Sequence, residues 1–470
     1  MQAKETERAD VRSPADEFRD ETGAIREDFL NRVSDAIRHH DSAILRDLVG
    51  ELHEADTGDL IEALEPDLRP QLIELMGKDF DFSALTEVDD TVREEILEEL
   101  GPETVAEGVR ELDSDDAVYI LEDLDRQEQV EILNQLPPTE RVALERSLLY
   151  PEESAGRRMQ TEFIAVPPEW NVGQAIDYMR ETVDLPDRFY ELYVVDPAGK
   201  FLGAVALDRL LRTKRPVPIV DLMDEDRRRV RATEDQEEVA RQFERYNLVA
   251  APVVDEDDRL VGVLTFDDIV DVIEQEAEED IRALGGVTGD EELSDTVLVT
   301  SRSRLPWLVI NMGTAFIAAT VISFFEATIE QVVAVAFLMP VNAALGGNAG
   351  TQALTVAVRA LATQELTASN RGRVIVRECL VGLVNGCALA VLAGTIAALI
   401  FGNVKLGLVL SAAMVLTVMF ATTLGILVPL LLNRLKIDPA VASGVFVTTT
   451  TDVFGFFIFL SFATIMFRLV

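Results

Sequence analysis

Near the C-terminal end of the chain, the run TTTTDVFGFF (448–457) sets one carboxylate, Asp452, in a segment that is apolar on both sides. A charged carboxylate at the centre of a bilayer costs about 2.5–3.5 kcal/mol even on insertion scales, and it usually marks a path for ions or protons. A buried Arg or Lys partner would give it a structural role instead, yet no basic residue lies mid-span to pair with it. Thr448 to Thr451 precede it and add hydroxyls on several faces of the same helix. A second stretch, PVNAALGGNAGTQAL (340–354), places Gly346, Gly347, Asn348, Gly350 and Gln352 inside another apolar run. Glycines at membrane depth break a helix, expose carbonyls or let helices approach closely. A third, IVDVIEQEAEEDIRALGG (269–286), carries Asp271, Glu274, Glu276, Glu278, Glu279 and Asp280 on one helix. Like charges at i, i+3 and i+4 repel by roughly 0.2–0.5 kcal/mol per pair. A solvated acidic face accounts for them cheaply, while a divalent cation shared with a partner surface would turn repulsion into attraction.

These residues need elements to hold them. Five long apolar segments, 305–325, 332–361, 374–401, 406–433 and 440–467, each exceed the roughly 20 residues that cross a bilayer. The second is too long and too rich in glycine for one simple straight helix. Basic residues fix the orientation. Arg302 and Arg304 precede the first segment, Arg359, Arg371, Arg373 and Arg377 flank the second connection, and Arg434 and Lys436 lie in the fourth. The first connection has no basic residue and the third only Lys405. The reading is a plasma-membrane protein with a cytosolic soluble half and an external C-terminus.

That soluble half holds nearly all the charge. The formal net charge is −42, from 42 basic and 84 acidic residues, and residues 301–470 contain ten of the former and six of the latter. Such acidity excludes nucleic acid, which demands Lys/Arg patches. It attracts cations, or it keeps a protein soluble at high salt; six lysines against 36 arginines favour a halophile-like surface. The first 23 residues are polar, without an apolar signal core, and read as a flexible acidic cytosolic tail. Cys379 and Cys387 sit in an apolar segment, and the histidines, His39, His40 and His53, cluster on polar helices. Neither set has metal-ligand or disulfide spacing. No GxxxxGK[ST] phosphate loop occurs, which counts against an ATP-driven motor, and nothing points to an enzyme.

Residues 24–155 read as short amphipathic helices, with Leu, Ile and Val at three- and four-residue spacing. The likeness of IEALEPDLRPQLIELM to YILEDLDRQEQVEILNQL predicts stacked hairpins, an α-helical superhelical domain. Next, ELYVVDPAGKFLGAVALDRLL (191–211) aligns with AAPVVDEDDRLVGVLTFDDIV (250–270) at an offset of 59. The unit β-α-β-β-α, occurring twice, resembles a tandem pair of CBS domains, over 156–217 and 218–275.

Across almost the whole chain, the order of segments resembles the MgtE family of magnesium channels and transporters. YPEESAGRRM (150–159), FFEATIE (324–330), GGNAGTQ (346–352), VRALAT (358–363), DPA (438–440) and TDVFG (451–455) carry the resemblance. It implies a multidomain membrane protein: helical N-terminal domain, α/β CBS pair, acidic linker or plug helix (276–304) and a five-helix transmembrane domain (305–470). It further implies a homodimer with a pore lined by the second and fifth spans. Asp452 matches the family's pore aspartate, and Gly347, Asn348, Thr448 and Thr451 are candidate pore-lining residues. Magnesium keeps most of its waters, so a pair of carboxylates can hold it through them and still release it. By the same resemblance, Mg²⁺ bridges acidic residues when its cytosolic level is high and closes the pore. The matching positions are Asp267, Asp268, Asp271, Glu274, Glu276, Glu278, Glu279, Asp280 and Asp438. ATP at the CBS pair is left open. Two alternatives stand beside this expectation: a carrier coupling divalent cations to Na⁺ or H⁺, and a membrane-anchored CBS nucleotide sensor.

Overall fold

The computed structural model describes residues 18–183, 185–186, 188–287, 296–366, 369–437 and 439–467, apart from the side chains of 441–443. The chain forms two compact units, Met1–Ile273 and Glu274–Val470.

Among the described residues, the first unit opens with nine α-helices: α1 (Glu27–Arg38), α2 (Ser42–Val49), α3 (Glu54–Ala63), α4 (Arg69–Met76), α5 (Asp90–Glu99), α6 (Pro102–Val109), α7 (Ser114–Glu122), α8 (Arg126–Leu133) and α9 (Pro138–Ser147). Their starts are written in the sequence. Asp41 accepts from the Ile44 amide, Asp125 and Glu128 form a capping box, and Pro102 and Pro138 open α6 and α9. The apolar stripes meet in one continuous core that includes Ile37, Leu45, Leu60, Leu72, Leu85 and Ile120. An ionic group sits inside it. The Arg93 side chain is fully buried; its Nε donates to Asp123 at 2.6 Å, and Nη1 donates to the carbonyls of Leu85 and Val88. Asp90 and the Tyr119 ring complete its surroundings. Residues 1–17 of the expected tail lie outside the described residues. Residues 18–23 do not behave as tail: Phe18 is buried edge-on against Phe29, and Arg19 pairs with Asp56 and Asp59. An aromatic anchor beside a bidentate-capable arginine ties this segment to the helical domain.

The repeat predicted at an offset of 59 is present as two three-stranded sheets. The first comprises β1 (Ala165–Val166), α10 (Val172–Glu181), β2 (Glu191–Val195), β3 (Phe201–Ala206) and α11 (Leu207–Leu211). The second comprises β4 (Val230–Arg231), α12 (Gln236–Tyr246), β5 (Ala250–Val254), β6 (Leu260–Thr265) and α13 (Phe266–Gly285). In each, a short strand pairs parallel to the second, which pairs antiparallel to the third with a bulge at its last residue. The hairpin turns correspond too. Asp196 and Asp255 each accept two backbone amides, and Gly199 and Asp258 take the left-handed conformation that closes the turn. Helix α13 starts at Phe266, so the acidic run is the continuation of the last helix of the second repeat and does not begin separately at 276.

The second unit consists of α14 (Val297–Ser323), α15 (Glu326–Gln331), α16 (Ala334–Ala362), α17 (Arg371–Phe401), α18 (Val404–Arg434) and α19 (Pro439–Phe467). Residues 297–304, expected in the linker, are the opening turns of α14. Among the described residues, four helices are long and apolar enough to cross a membrane: α14, α17, α18 and the stretch Gly444–Phe467 of α19. Helix α16 is as long, at 29 residues, but its Pro, Gly, Asn, Gln and Thr content keeps it out of that set. The most buried helix is α18, whose Leu406, Val409, Leu410, Ala413 and Met414 pack with Val335, Leu338, Phe459 and Leu460. Leu, Val, Ile and Phe are abundant on the outer surface instead, as at Leu308, Phe316, Val384, Leu392 and Leu399. Small residues allow the closest approach. A Cβ on Gly382 would lie 2.8 Å from Met419 Cα, and one on Gly386 would lie 3.0 Å from Val415 Cα.

Candidate functional site

Asp452 is half-buried on α19, inside the apolar stretch Gly444–Phe467. Its neighbours along the helix divide into two faces. Thr448, one turn earlier, is exposed, and its hydroxyl donates to the Gly444 carbonyl at 2.9 Å. Thr451 is fully buried; its hydroxyl donates to the Thr448 carbonyl and its methyl group packs at Gly350. Thr451 was expected on the pore face and is a helix-packing residue instead, because Gly350 of α16 leaves room for its methyl group there.

Helix α16 presents a polar stripe. Asn348, Thr351, Gln352 and Thr355 are all exposed, at spacings of three and four residues, and Gly347 is half-buried beside them. The opposite face carries Gly346, Gly350, Ala353 and Leu354, all buried. In lipid, exposed amides and hydroxyls are disfavoured, so such a stripe belongs on a water-filled path or an interface. The glycines GGxxG are therefore divided: Gly346 and Gly350 serve helix contact, since a Cβ on them would meet Thr417 Cγ2 at 2.7 Å and Val447 Cγ1 at 2.9 Å, while nothing crowds Gly347.

One polar residue of this region was not singled out from sequence. Asn342 is fully buried, and its Nδ2 donates to Thr417 Oγ1 of α18 at 3.1 Å and to the Gly455 carbonyl of α19 at 3.0 Å. It ties three helices together one turn from Asp452. Its place within PVNAALGG, four residues before a glycine pair, is the only signal the sequence offers.

The second centre lies in the first unit, where α7 meets the pair of three-stranded sheets. Ser114 accepts from the Thr161 amide and donates to Glu162 at 2.7 Å, while Arg158 donates to Glu122 at 2.9 Å. This docking brings Asp115 and Asp116, in the first turn of α7, up to Asp268, in the first turn of α13. The Asp115 side chain is buried, and its Oδ1 has no hydrogen-bond partner among the described residues. Burial, then the facing Asp268, pushes the Asp115 carboxyl well above the usual carboxylate range. The same causes raise Asp116 to about 7. Burial raises Asp268 to about 6 although the Thr265 hydroxyl donates to it. Asp113, Glu54 and Asp271 add further negative potential at Asp116. Like carboxylates held together out of water are a hard oxygen donor set that a divalent cation neutralises. Among the described residues, no three acidic, His or Cys side chains already converge as a complete metal site. The orphaned Oδ1 and raised carboxyls nevertheless suit a hard cation retaining part of its water shell. Asp115 and Asp116 escaped notice in the sequence because DSDDAV reads as an ordinary helix start.

Of the other expected regulatory residues, Asp267, Asp271, Glu274, Glu278 and Glu279 are exposed, and Glu276 and Asp280 are half-buried. Glu278 is paired with Arg282 at 2.6 Å. Asp438 lies outside the described residues. Asp267 also lines a cleft of about 480 Å³, with Tyr190 of the first repeat and Phe243, Asn247 and Phe266 of the second.

Comparison with known proteins agrees with this layout. Family models match for the MgtE intracellular N domain over 52–153, for CBS domains over 155–215 and 219–275, and for MgtE, described as a divalent cation transporter, over 339–462. The magnesium transporter MgtE of Bacillus subtilis is 32% identical over 419 residues, which is 89% of this chain and 93% of that one. Its counterpart from Thermus thermophilus is 33% identical, over 92% of this chain and 97% of the relative. Among solved structures, the cytosolic domain of the Mg²⁺ channel MgtE in complex with ATP aligns with a TM-score of 0.48 at 28% identity, covering 52% of this chain and 99% of that one.

Proposed function

The chain belongs to the MgtE family, and we propose that it carries Mg²⁺ across the plasma membrane through a pore with Asp452 at its centre, opened and closed by Mg²⁺ itself. Two observations carry the pore: Asp452 lies within the apolar stretch of α19, and α16, which meets α19 at Gly350, leaves a polar stripe of Asn348, Thr351, Gln352 and Thr355 exposed. Two copies of the chain would set two Asp452 carboxylates and two such stripes around one path, with α16 as the fifth spanning helix. Hydrated Mg²⁺ passes such a ring by exchanging only outer waters for carboxylate and amide oxygens, so attraction does not become a trap. Asn348 and Gln352 offer amide oxygens, and Thr448 offers a hydroxyl oxygen.

Gating rests on the Asp115–Asp116–Asp268 cluster, with the acidic run of α13 as a second set. A Mg²⁺ ion held there would stabilise α7 docked on the CBS pair; without it the carboxylates repel. Mg²⁺ therefore favours the docked state by its differential affinity, and that state is the closed one. The soluble half faces the cytosol, in keeping with the basic residues at its junctions. The exposed rings of Tyr190 and Phe266 in this cleft suit the base of an adenine nucleotide by stacking. Its lining carboxylates, Glu244 and Asp267, leave the phosphates of ATP to be brought with their own cation.

Growth of a cell lacking its Mg²⁺ uptake systems tests the transport reading. The wild-type chain restores growth at low Mg²⁺ and Asp452→Ala does not; restoration by Asp452→Ala would refute the pore assignment and favour a membrane-anchored sensor.

A further inference from the structure

Helix α17 carries a feature that transport does not use. Its exposed face forms an open apolar groove of about 530 Å³ along Val376, Leu380, Val381 and Val384, and Arg373 and Arg377 stand at one end. The two arginines are one helical turn apart, both are exposed, and no carboxylate pairs with either among the described residues. Unpaired basic residues are conspicuous in a chain with 84 acidic and 42 basic residues. The groove runs along a helix that is long and apolar enough to span the bilayer, so its apolar floor lies at acyl-chain depth and its arginines stand towards the helix end, at headgroup depth.

From this juxtaposition we infer that Arg373, Arg377 and the groove beside them form a binding site for an anionic glycerophospholipid. The guanidinium pair takes the headgroup phosphate through charge-assisted hydrogen bonds, and Val376, Leu380, Val381 and Val384 hold one acyl chain. A zwitterionic lipid carries the same phosphate with a cationic partner on the same headgroup, so the site discriminates by net charge. A free phosphate ion would satisfy the arginines and leave the groove uncovered, which is why the lipid is the occupant. The inference rests on the reading of α17 as membrane-spanning.

The test uses the full chain in a neutral detergent, supplied with equal amounts of phosphatidylglycerol and phosphatidylcholine. Native mass spectrometry counts the lipids retained, and thermal unfolding reports their effect on stability. Each arginine near a headgroup contributes about fivefold in affinity. Wild type should therefore retain phosphatidylglycerol over phosphatidylcholine by roughly tenfold or more, with a raised Tm, and inorganic phosphate should give no such rise. Arg373→Gln/Arg377→Gln should lose both effects while its Tm without lipid stays unchanged. Equal retention of the two lipids by wild type overturns the proposal, as does a double variant that keeps the preference. Exclusion of lipid by a second copy of the chain covering the groove, seen as a dimer that retains no phosphatidylglycerol, overturns it as well. Mg²⁺ flux in vesicles of phosphatidylcholine alone separates this from transport: flux without lipid preference sinks only the lipid site, and preference without flux sinks only the transporter.

Discussion

The carboxylates that face one another between α7 and α13 make the stability of the soluble unit depend on pH in an unusual direction. For an ordinary paired aspartate the folded pKa is depressed, and stability is lost on acidification. Here the folded values are raised, to about 7 at Asp116 and about 6 at Asp268, with Asp115 also raised. Their stability is therefore fully present below the unfolded aspartate value and is lost as pH climbs through 6 and 7. One pKa unit corresponds to about 1.4 kcal/mol, so moving Asp116 from near 4 to about 7 costs on the order of 4 kcal/mol once it is ionised. The three groups share one repulsion, so their costs overlap and do not simply sum. In the presence of EDTA, the unfolding temperature of the soluble unit should fall by several degrees between pH 5 and pH 8. Millimolar Mg²⁺ should restore most of it at pH 8 and little at pH 5, where protons hold the carboxylates. Asp268→Asn should flatten the pH profile and blunt the response to Mg²⁺. A profile in EDTA that is flat or rises with pH, or one that Asp268→Asn leaves unchanged, would refute the reasoning.

Other substitutions probe the scaffold. Arg93→Met leaves Asp123 and the carbonyls of Leu85 and Val88 without their donor; a loss of about 3–5 kcal/mol is expected, read as reduced denaturant midpoint of the helical domain. Gly382→Leu forces side-chain atoms into the backbone at Met419, and overpacking of about 1–3 kcal/mol should appear as a lower Tm in detergent. Asn342→Ala removes donations to Thr417 and Gly455, a polar tie between helices worth about 0.6–1.7 kcal/mol by the measured range; an unaltered Tm would mean the tie is idle.

The soluble fold was largely legible because its signals are local. The offset of 59 between the two β-rich segments, the Asp-led turns and the capping residues each act within a few positions, and the structure repeats them strand for strand. Asp452 was legible for the opposite reason: its isolation among apolar residues is itself the signal. Residues defined by long-range contact were not. Asp115 and Asp116 acquire their character only when α7 docks beside Asp268, roughly 150 positions away in sequence, and DSDDAV carries no mark of that. Thr451 failed in the other direction, since a run of four threonines does not reveal which methyl group packs at Gly350. The division of GGNAG into packing and open glycines likewise depends on where Thr417 and Val447 stand.

The measurement that bears most directly on the account is Mg²⁺ flux through the purified chain in sealed liposomes, with wild type and Asp452→Asn side by side. Asn keeps the shape of the side chain and removes its charge, so a folding defect and a lost cation site are distinguished by an unchanged Tm. Wild type should carry Mg²⁺ down an imposed membrane potential with no added Na⁺ or proton gradient. Asp452→Asn should reduce that flux at least about tenfold, which corresponds to about 1.4 kcal/mol of cation attraction in the pore. Equal flux from the two proteins, or wild-type flux that vanishes when the proton or sodium gradient is collapsed at constant potential, would contradict the account.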